Sequence, residues 1–291
     1  MDSYRGAHFL AGSGPSFVTV AKSLYRRRYP NVVVQGDSWF DYPGRQKHFF
    51  YGPNNLHQAL MQIIPTGANW WDSSVSMATA KQVSRESSVF RYAKYNRVRL
   101  DVYCLSMGGN DLFAGLKFIL KDYDDKNQSP SECFNSGKER LLQNIRDDYH
   151  KVLRDRDRYL PSVPVLAHCY ASPDQRQRGF KLAFLKAGPW IKTAFDAKAY
   201  PPMLTSNIDN CIRRRAIRYL HAQLSETIIG AMGQYQNTLS YDAFGRGVDL
   251  SAAKYWDDEI HLSPKGWIMY AKDMQEYMIE NGLDIRALKR R

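Results

Sequence analysis

The run Asn31-Val32-Val33-Val34-Gln35 passes directly into Gly36-Asp37-Ser38-Trp39, and no other stretch constrains the fold as much. Three successive β-branched valines stiffen the chain in extended backbone. An unbroken apolar run, rather than an alternating one, suits a strand covered on both faces, as inside a parallel sheet. Residues 98–105, 163–170 and 238–243 read as further strands and 68–73 as a weaker one; they alternate with segments of helical period at 55–64, 77–93, 111–120, 138–159, 209–232 and 264–280. This alternation predicts an α/β protein, a three-layer α/β/α sandwich around a central parallel sheet of about five strands. The last helix carries its own start signal. Ser263 stands at the N-cap and Pro264 at the first helical position, and Trp267, Tyr270, Ala271, Met274 and Met278 then repeat at 3.6-residue spacing.

With 291 residues, 44% of them hydrophobic and 13% aromatic, the chain can enclose a large core, which excludes global disorder. No repeat, low-complexity tract or Gly/Ser linker divides it, so 31–283 is one predicted domain, preceded by an arm at 1–30 and followed by a basic tail at 284–291. Two connections, 121–137 and 171–207, exceed what a compact α/β unit needs; the second, with Phe180, Phe184 and Trp190, is the predicted lid insertion. No window reaches the ~18 uninterrupted apolar residues of a membrane helix. Residues 1–16 lack the charged-then-apolar layout of a signal peptide, which predicts a cytoplasmic protein or one exported by a route other than Sec. Cysteines 104, 133, 169 and 211 have neither zinc-site spacing nor the density of a disulfide scaffold and read as small apolar fillers.

Chemistry is written at the carboxyl ends of the predicted strands, where open α/β sheets bind ligands. Ser38 sits at the first strand-to-helix turn, the place of a nucleophile, although Gly-Asp-Ser is also a common turn tripeptide. The 98–105 strand runs into Ser106-Met107-Gly108-Gly109-Asn110-Asp111. There the Asn110 amide can donate to an anion without being charged, as one arm of an oxyanion hole requires; the alternative is a Gly-Gly turn with Asn110 or Asp111 as helix cap. Before the last helix comes Tyr255-Trp256-Asp257-Asp258-Glu259-Ile260-His261-Leu262-Ser263. An Asp three residues before a His on a tight loop reaches Nδ1 and leaves Nε2 to face a serine. An acidic surface cluster or a helix-capping network would use the same residues.

Taken in order, each at a strand end, these elements resemble the SGNH, or GDSL-type, hydrolase family. The stretch Gly36-Asp37-Ser38-Trp39-Phe40-Asp41-Tyr42-Pro43 is similar to a bacterial subgroup with a GDSW-F-x-YP opening. His168-Cys169-Tyr170 before Pro173-Asp174, Gly188-Pro189-Trp190, and Glu259-Ile260-His261-Leu262-Ser263-Pro264-Lys265-Gly266 extend the likeness over residues 31–280. The resemblance implies a flavodoxin-like sandwich and a serine hydrolase that cleaves a carboxylic ester through an acyl-enzyme. It assigns Ser38 as nucleophile, His261 as base and Asp258 as the orienting carboxylate, with Asp257 the runner-up. The oxyanion donors are then the Ser38 N–H, the Asn110 side chain and an N–H from the family's second block. That block has a glycine where Asp72-Ser73-Ser74-Val75-Ser76-Met77-Ala78-Thr79 places Met77, or Ser76 or Ala78 if the register shifts by one. A backbone N–H survives any substitution but proline, whereas methionine disfavours positive φ.

Trp39, His168 and Trp190 are the predicted substrate contacts, weighed against packing roles for Trp39 and Phe40 beneath the turn, for His168 in the core, and for Trp190, with Phe180 and Phe184, in a small core of the 171–207 segment itself. Asp37 and Asp111 are expected to brace loops, and His48, His57, His150 and His221 to be surface or core histidines. The implied substrate is a small ester, an acylated saccharide or a lipid, and transfer of the acyl group to an acceptor other than water uses the same residues. No cofactor is expected, nor a metal, because Asp257, Asp258, Glu259 and His261 lack a second His-rich cluster.

The 41 Lys+Arg against 29 Asp+Glu leave a net charge of +12. Arg26 to Arg28, the Arg154, Arg156 and Arg158 group, Arg213 to Arg215, and Lys289 to Arg291 read as solvated helix faces and a basic tail that together attract polyanions in a salt-dependent way. A non-catalytic module that binds nucleic acid or an anionic surface is therefore the competing reading, although no zinc-finger, RRM, KH or helix-turn-helix signature supports a nucleic-acid partner.

Overall fold

Asn31–Gly36 forms β1, every residue of it buried, between β2 (Asn69–Asp72) and β3 (Val102–Ser106). Val32 lies opposite Trp70 on one side and Val102 on the other. Next come β4 (Val165–His168), a short antiparallel pair β5 (Phe180–Leu182) and β6 (Leu185–Ala187), and finally β7 (Thr238–Tyr241). The main sheet is all parallel with the order β2-β1-β3-β4-β7. The computed structural model describes residues 29–42, 52–64, 68–85, 88–126, 129–173, 179–182, 185–202 and 211–288. Most of the expected arm, His48, Lys289 to Arg291, and parts of the predicted lid therefore lie outside the described residues, as do the side chains of Phe180 and Phe184.

Parallel strands need crossovers, and helices supply them. These are α1 (Ser38–Asp41), α2 (Leu56–Ile63), α3 (Ala80–Arg85), α4 (Ser88–Tyr95), α5 (Gly109–Ile119), α6 (Gly137–Tyr159), α7 (Trp190–Asp196), α8 (Ile212–Met232) and α9 (Pro264–Glu280). Helix α9 packs on α2, while α6 packs on α3, α4, α5 and α8, giving the sandwich its two outer layers. In α9 the Ser263 hydroxyl accepts from Gly266 N–H at 3.3 Å, and the five apolar residues at helical spacing are all buried. At the end of β1 a Cβ on Gly36 would lie 2.2 Å from the Ser106 carbonyl oxygen. Only glycine lets β1 and β3 approach so closely beside Ser38.

The structure departs from the pattern in four places. The segment expected as one helix over 77–93 is two, α3 and α4, and Met77 lies in a turn before them. The strand expected from 98 begins at Val102, because Val98 N–H closes on the Ala93 carbonyl at the end of α4 instead of joining a strand. The 171–207 connection holds β5, β6 and α7. Lastly, two of the arginines read as solvated are core residues. Arg156, 0% exposed, donates to the carbonyls of Val163 (2.8 Å) and Gln236 (2.7 Å), and Arg213 donates to Pro201 O and Asp196 Oδ1, each at 2.7 Å. Buried guanidinium groups that satisfy carbonyls are structural cations, so less of the net charge faces solvent than the sequence suggests.

Candidate active site

The strand-to-helix turn after β1 is held from below by Asp37. Its carboxylate accepts from Trp39 N–H (3.1 Å), the Ser106 hydroxyl (2.7 Å) and the Tyr170 hydroxyl (2.6 Å). Burial pushes the Asp37 carboxyl above the usual carboxylate range in spite of these donors. The result is a turn tied to β3 and to the end of β4, with Ser38 at its crest.

The loop from Trp256 to Leu262 is closed by a β-bridge between those two residues and by Asp257 N–H donating to His261 O at 2.9 Å. Asp258 divides its two oxygens. Oδ1 accepts the N–H groups of Ile260 and His261, both at 2.8 Å, and so shapes the turn. Oδ2 lies 2.9 Å from His261 Nδ1, and His261 Nε2 lies 2.8 Å from Ser38 Oγ. Burial works against the Asp258 charge, but the facing imidazole and the turn N–H donors outweigh it and hold this carboxyl below the usual range. With a carboxylate at Nδ1, the imidazole carries its proton there and offers the Nε2 lone pair to the Ser38 hydroxyl. Asp257 instead accepts the Tyr42 hydroxyl, at 2.9 Å.

The 73–79 loop carries an unusual backbone. Met77 has φ +66° at the third position of a turn closed by Ala78 N–H donating to Val75 O at 3.0 Å, the position of a type II turn that favours glycine. The two neighbouring donors are spent: Ser76 N–H goes to Asp41 Oδ2 (3.0 Å) and Ala78 N–H to Val75 O. Among the described residues, nothing accepts the N–H of Met77 or of Ser38. Asn110 Nδ2 donates one hydrogen to Ala78 O at 3.1 Å and retains a second, and Asp111 accepts Ala80 N–H at 2.7 Å, so the start of α5 braces the 73–79 loop through Asn110 and the first residue of α3 through Asp111. Burial raises the Asp111 carboxyl to about 6.

Two of the three predicted substrate contacts are corrected. Trp39 is 3% exposed and packs among His168, Tyr170, Trp267 and Tyr270, and His168 is wholly buried with its ring stacked on Trp39 at 5.1 Å between centroids. Burial pushes the His168 imidazole down to about 3, which leaves it a neutral core group. Both face inward because the turn needs an aromatic floor. Trp190, by contrast, sits half-buried with its ring edge-on to His261, centroids 6.4 Å apart.

One contributor escaped the sequence reading. Tyr42 stacks on His261, and its hydroxyl reaches Asp258 Oδ2 at 3.0 Å as well as Asp257. Burial and the two carboxylates push this hydroxyl far above the usual tyrosine range, so it stays a donor. The YP of the opening motif was the signal that carried it. A cavity of about 240 Å³ opens nearby, beyond the ends of β4 and β7, and is lined by Pro173, Arg214, Arg218, Phe244 and Trp256 among others, not by Ser38 or His261. Among the described residues no group of three or more His, Cys, Asp or Glu is arranged to hold a metal ion, and no helix is long and apolar enough to cross a membrane.

No protein-family model matches the chain, and no curated protein sequence matches it. Solved structures do match in fold. The chain is similar to the lipase Lip_vut3 from a goat rumen metagenome, with 12% identity and a TM-score of 0.51 over 85% of this chain and 97% of that one. It is also similar to phospholipase A1 from Streptomyces albidoflavus NA297, with 14% identity and a TM-score of 0.50 over 84% of this chain and 99% of that one. The chain thus shares its α/β sandwich with these two solved structures.

Proposed function

We propose that this chain, built on the SGNH-hydrolase sandwich, cleaves a carboxylic ester with Ser38 as nucleophile. The observation that carries the reading is the continuous Ser38 Oγ to His261 Nε2 to Asp258 hydrogen-bond line, 2.8 and 2.9 Å, contributed by two loops far apart in sequence. As Ser38 Oγ bonds to the ester carbonyl carbon, its proton passes to His261 Nε2, and Asp258 stabilises the imidazolium. The oxyanion is met by the N–H groups of Ser38 and Met77 and by the second amide hydrogen of Asn110. One such donor contributes about 10²–10³ in rate. Collapse breaks the bond to the alcohol, which leaves with the proton from Nε2. Water then gives a proton to Nε2 as it attacks the acyl-serine, and the acyl–Oγ bond breaks with that proton passing to Ser38 Oγ, which releases the carboxylic acid and restores Ser38 and neutral His261.

Turnover of p-nitrophenyl acetate and labelling by a fluorophosphonate test the assignment. Both are expected in the wild-type chain and lost in Ser38→Ala. Equal turnover by the two, or no label on wild-type Ser38, overturns it. Adding an alcohol acceptor distinguishes hydrolysis from acyl transfer, because a transferase diverts the acyl group into a new ester while the rate of p-nitrophenol release in acylation is unchanged.

A further inference from the structure

Glu259 stands between Asp258 and Ile260, wholly buried, and takes no part in the Ser38, His261, Asp258 line. A carboxylate out of contact with water is costly unless its oxygens are engaged. Here both are. Oε2 accepts Ile191 N–H at 2.9 Å and Oε1 accepts Lys192 N–H at 3.1 Å. These are first-turn donors of α7, groups a helix cannot satisfy internally. The turn that aims Asp258 at His261 thus aims the next side chain at α7, and the loop bearing His261 and the 171–207 connection are joined through one residue. Ile191, Ala194 and Phe195 bury the inner face of α7, while its first residue, Trp190, projects toward His261 with its ring over Gly188, where a Cβ would lie 2.6 Å from it.

The side of the site that Trp190 borders follows from the reaction. His261 returns its proton to the departing alcohol, so groups flanking its ring on the open side face the alcohol rather than the acyl part of the ester. We propose that Glu259 is a positioning residue that fixes α7 so that Trp190 forms a wall of the alcohol subsite, selecting esters whose alcohol presents a flat apolar face, such as an aryl or pyranosyl ring. This rests on the ester-hydrolase reading above.

The test compares kcat/KM on phenyl acetate and ethyl acetate, which share one acyl-enzyme and differ only in the alcohol. Glu259→Ala and Trp190→Ala are each expected to lower the value for phenyl acetate about tenfold more than for ethyl acetate, through KM with kcat largely kept, the size of one aromatic contact. The double variant should lose no more than either single one, because the two act through the same wall. Amide exchange at Ile191 and Lys192 should accelerate in Glu259→Ala. If that variant fails to fold, Glu259→Gln, which retains one acceptor oxygen, should show the same selectivity change at smaller size. Equal losses on the two esters, or additive losses in the double variant, overturn the proposal while fluorophosphonate labelling of Ser38 persists. Absence of that label in the wild-type chain overturns the catalytic reading and this proposal with it.

Discussion

The ring of Tyr42 lies flat on the imidazole of His261, centroids 3.8 Å apart and planes 11° apart, while its hydroxyl reaches the carboxylate that holds the same imidazole. One side chain therefore fixes His261 from its face and Asp258 from its edge. Tyr42→Phe keeps the stack and removes the donor, and kcat/KM on p-nitrophenyl acetate is expected to fall about tenfold, the size of one hydrogen bond to a charged group. Tyr42→Ala loses the stack as well and should fall about a hundredfold. Equal effects of the two would mean the ring contributes nothing.

The two adjacent carboxylates are separable by mutation. Asp258 contacts His261 Nδ1 at 2.9 Å and Asp257 does not share that contact, so Asp258→Asn, which disturbs the imidazole tautomer, should slow acylation by about 10³–10⁴. Asp257→Asn should cost less than about tenfold. The fluorophosphonate labelling rate of Ser38 reads both, and the reverse order would show that Asp257 is the orienting group.

Met77 occupies a left-handed conformation that costs a non-glycine residue about 1–2 kcal/mol. Met77→Gly removes that strain but frees the unfolded chain, for a net gain of about 0.5–1 kcal/mol in thermal unfolding. Met77→Pro cannot adopt φ +66° and deletes the N–H, so it should lower kcat about 10²–10³-fold. Full activity in the proline variant would remove Met77 from the oxyanion site.

Burial pushes the Glu259 carboxyl up to about 7 from the ordinary 4.5. The folded chain therefore holds this proton more tightly than the unfolded one. Its contribution to stability is greatest below about 4.5, declines as pH rises to about 7, and is constant above that. Glu259→Gln does not titrate, so its Tm relative to wild type should climb between pH 4.5 and 7 and then level off. A Tm difference that does not change across this window would show that Glu259 is charged throughout.

Arg156 and Arg154 are two residues apart on α6, yet one is wholly buried and the other exposed. Arg156→Ala strands the carbonyls of Val163 and Gln236 and should cost about 3 kcal/mol in urea unfolding. Arg154→Ala should stay within about 0.5 kcal/mol. Similar losses in both would put the stability of this helix end elsewhere.

What the chain determines by itself is local. Three valines and a glycine make β1 and its close approach to β3; Ser263 and Pro264 start α9; and a spacing of three residues suffices for Asp258 to reach His261, because a tight turn closed by its own N–H groups brings them together. Tertiary structure decided the rest. Ser38 and His261 are 223 residues apart and meet only because the order β2-β1-β3-β4-β7 sets the end of β1 facing the loop before α9. The same packing turned Trp39 and His168 inward, buried Arg156, and brought Tyr42 and Glu259 to the His261 loop. Periodicity records which face of an element is apolar. It carries no information about which distant element will cover that face, and the free energy that chooses among partners is released only when the layers close.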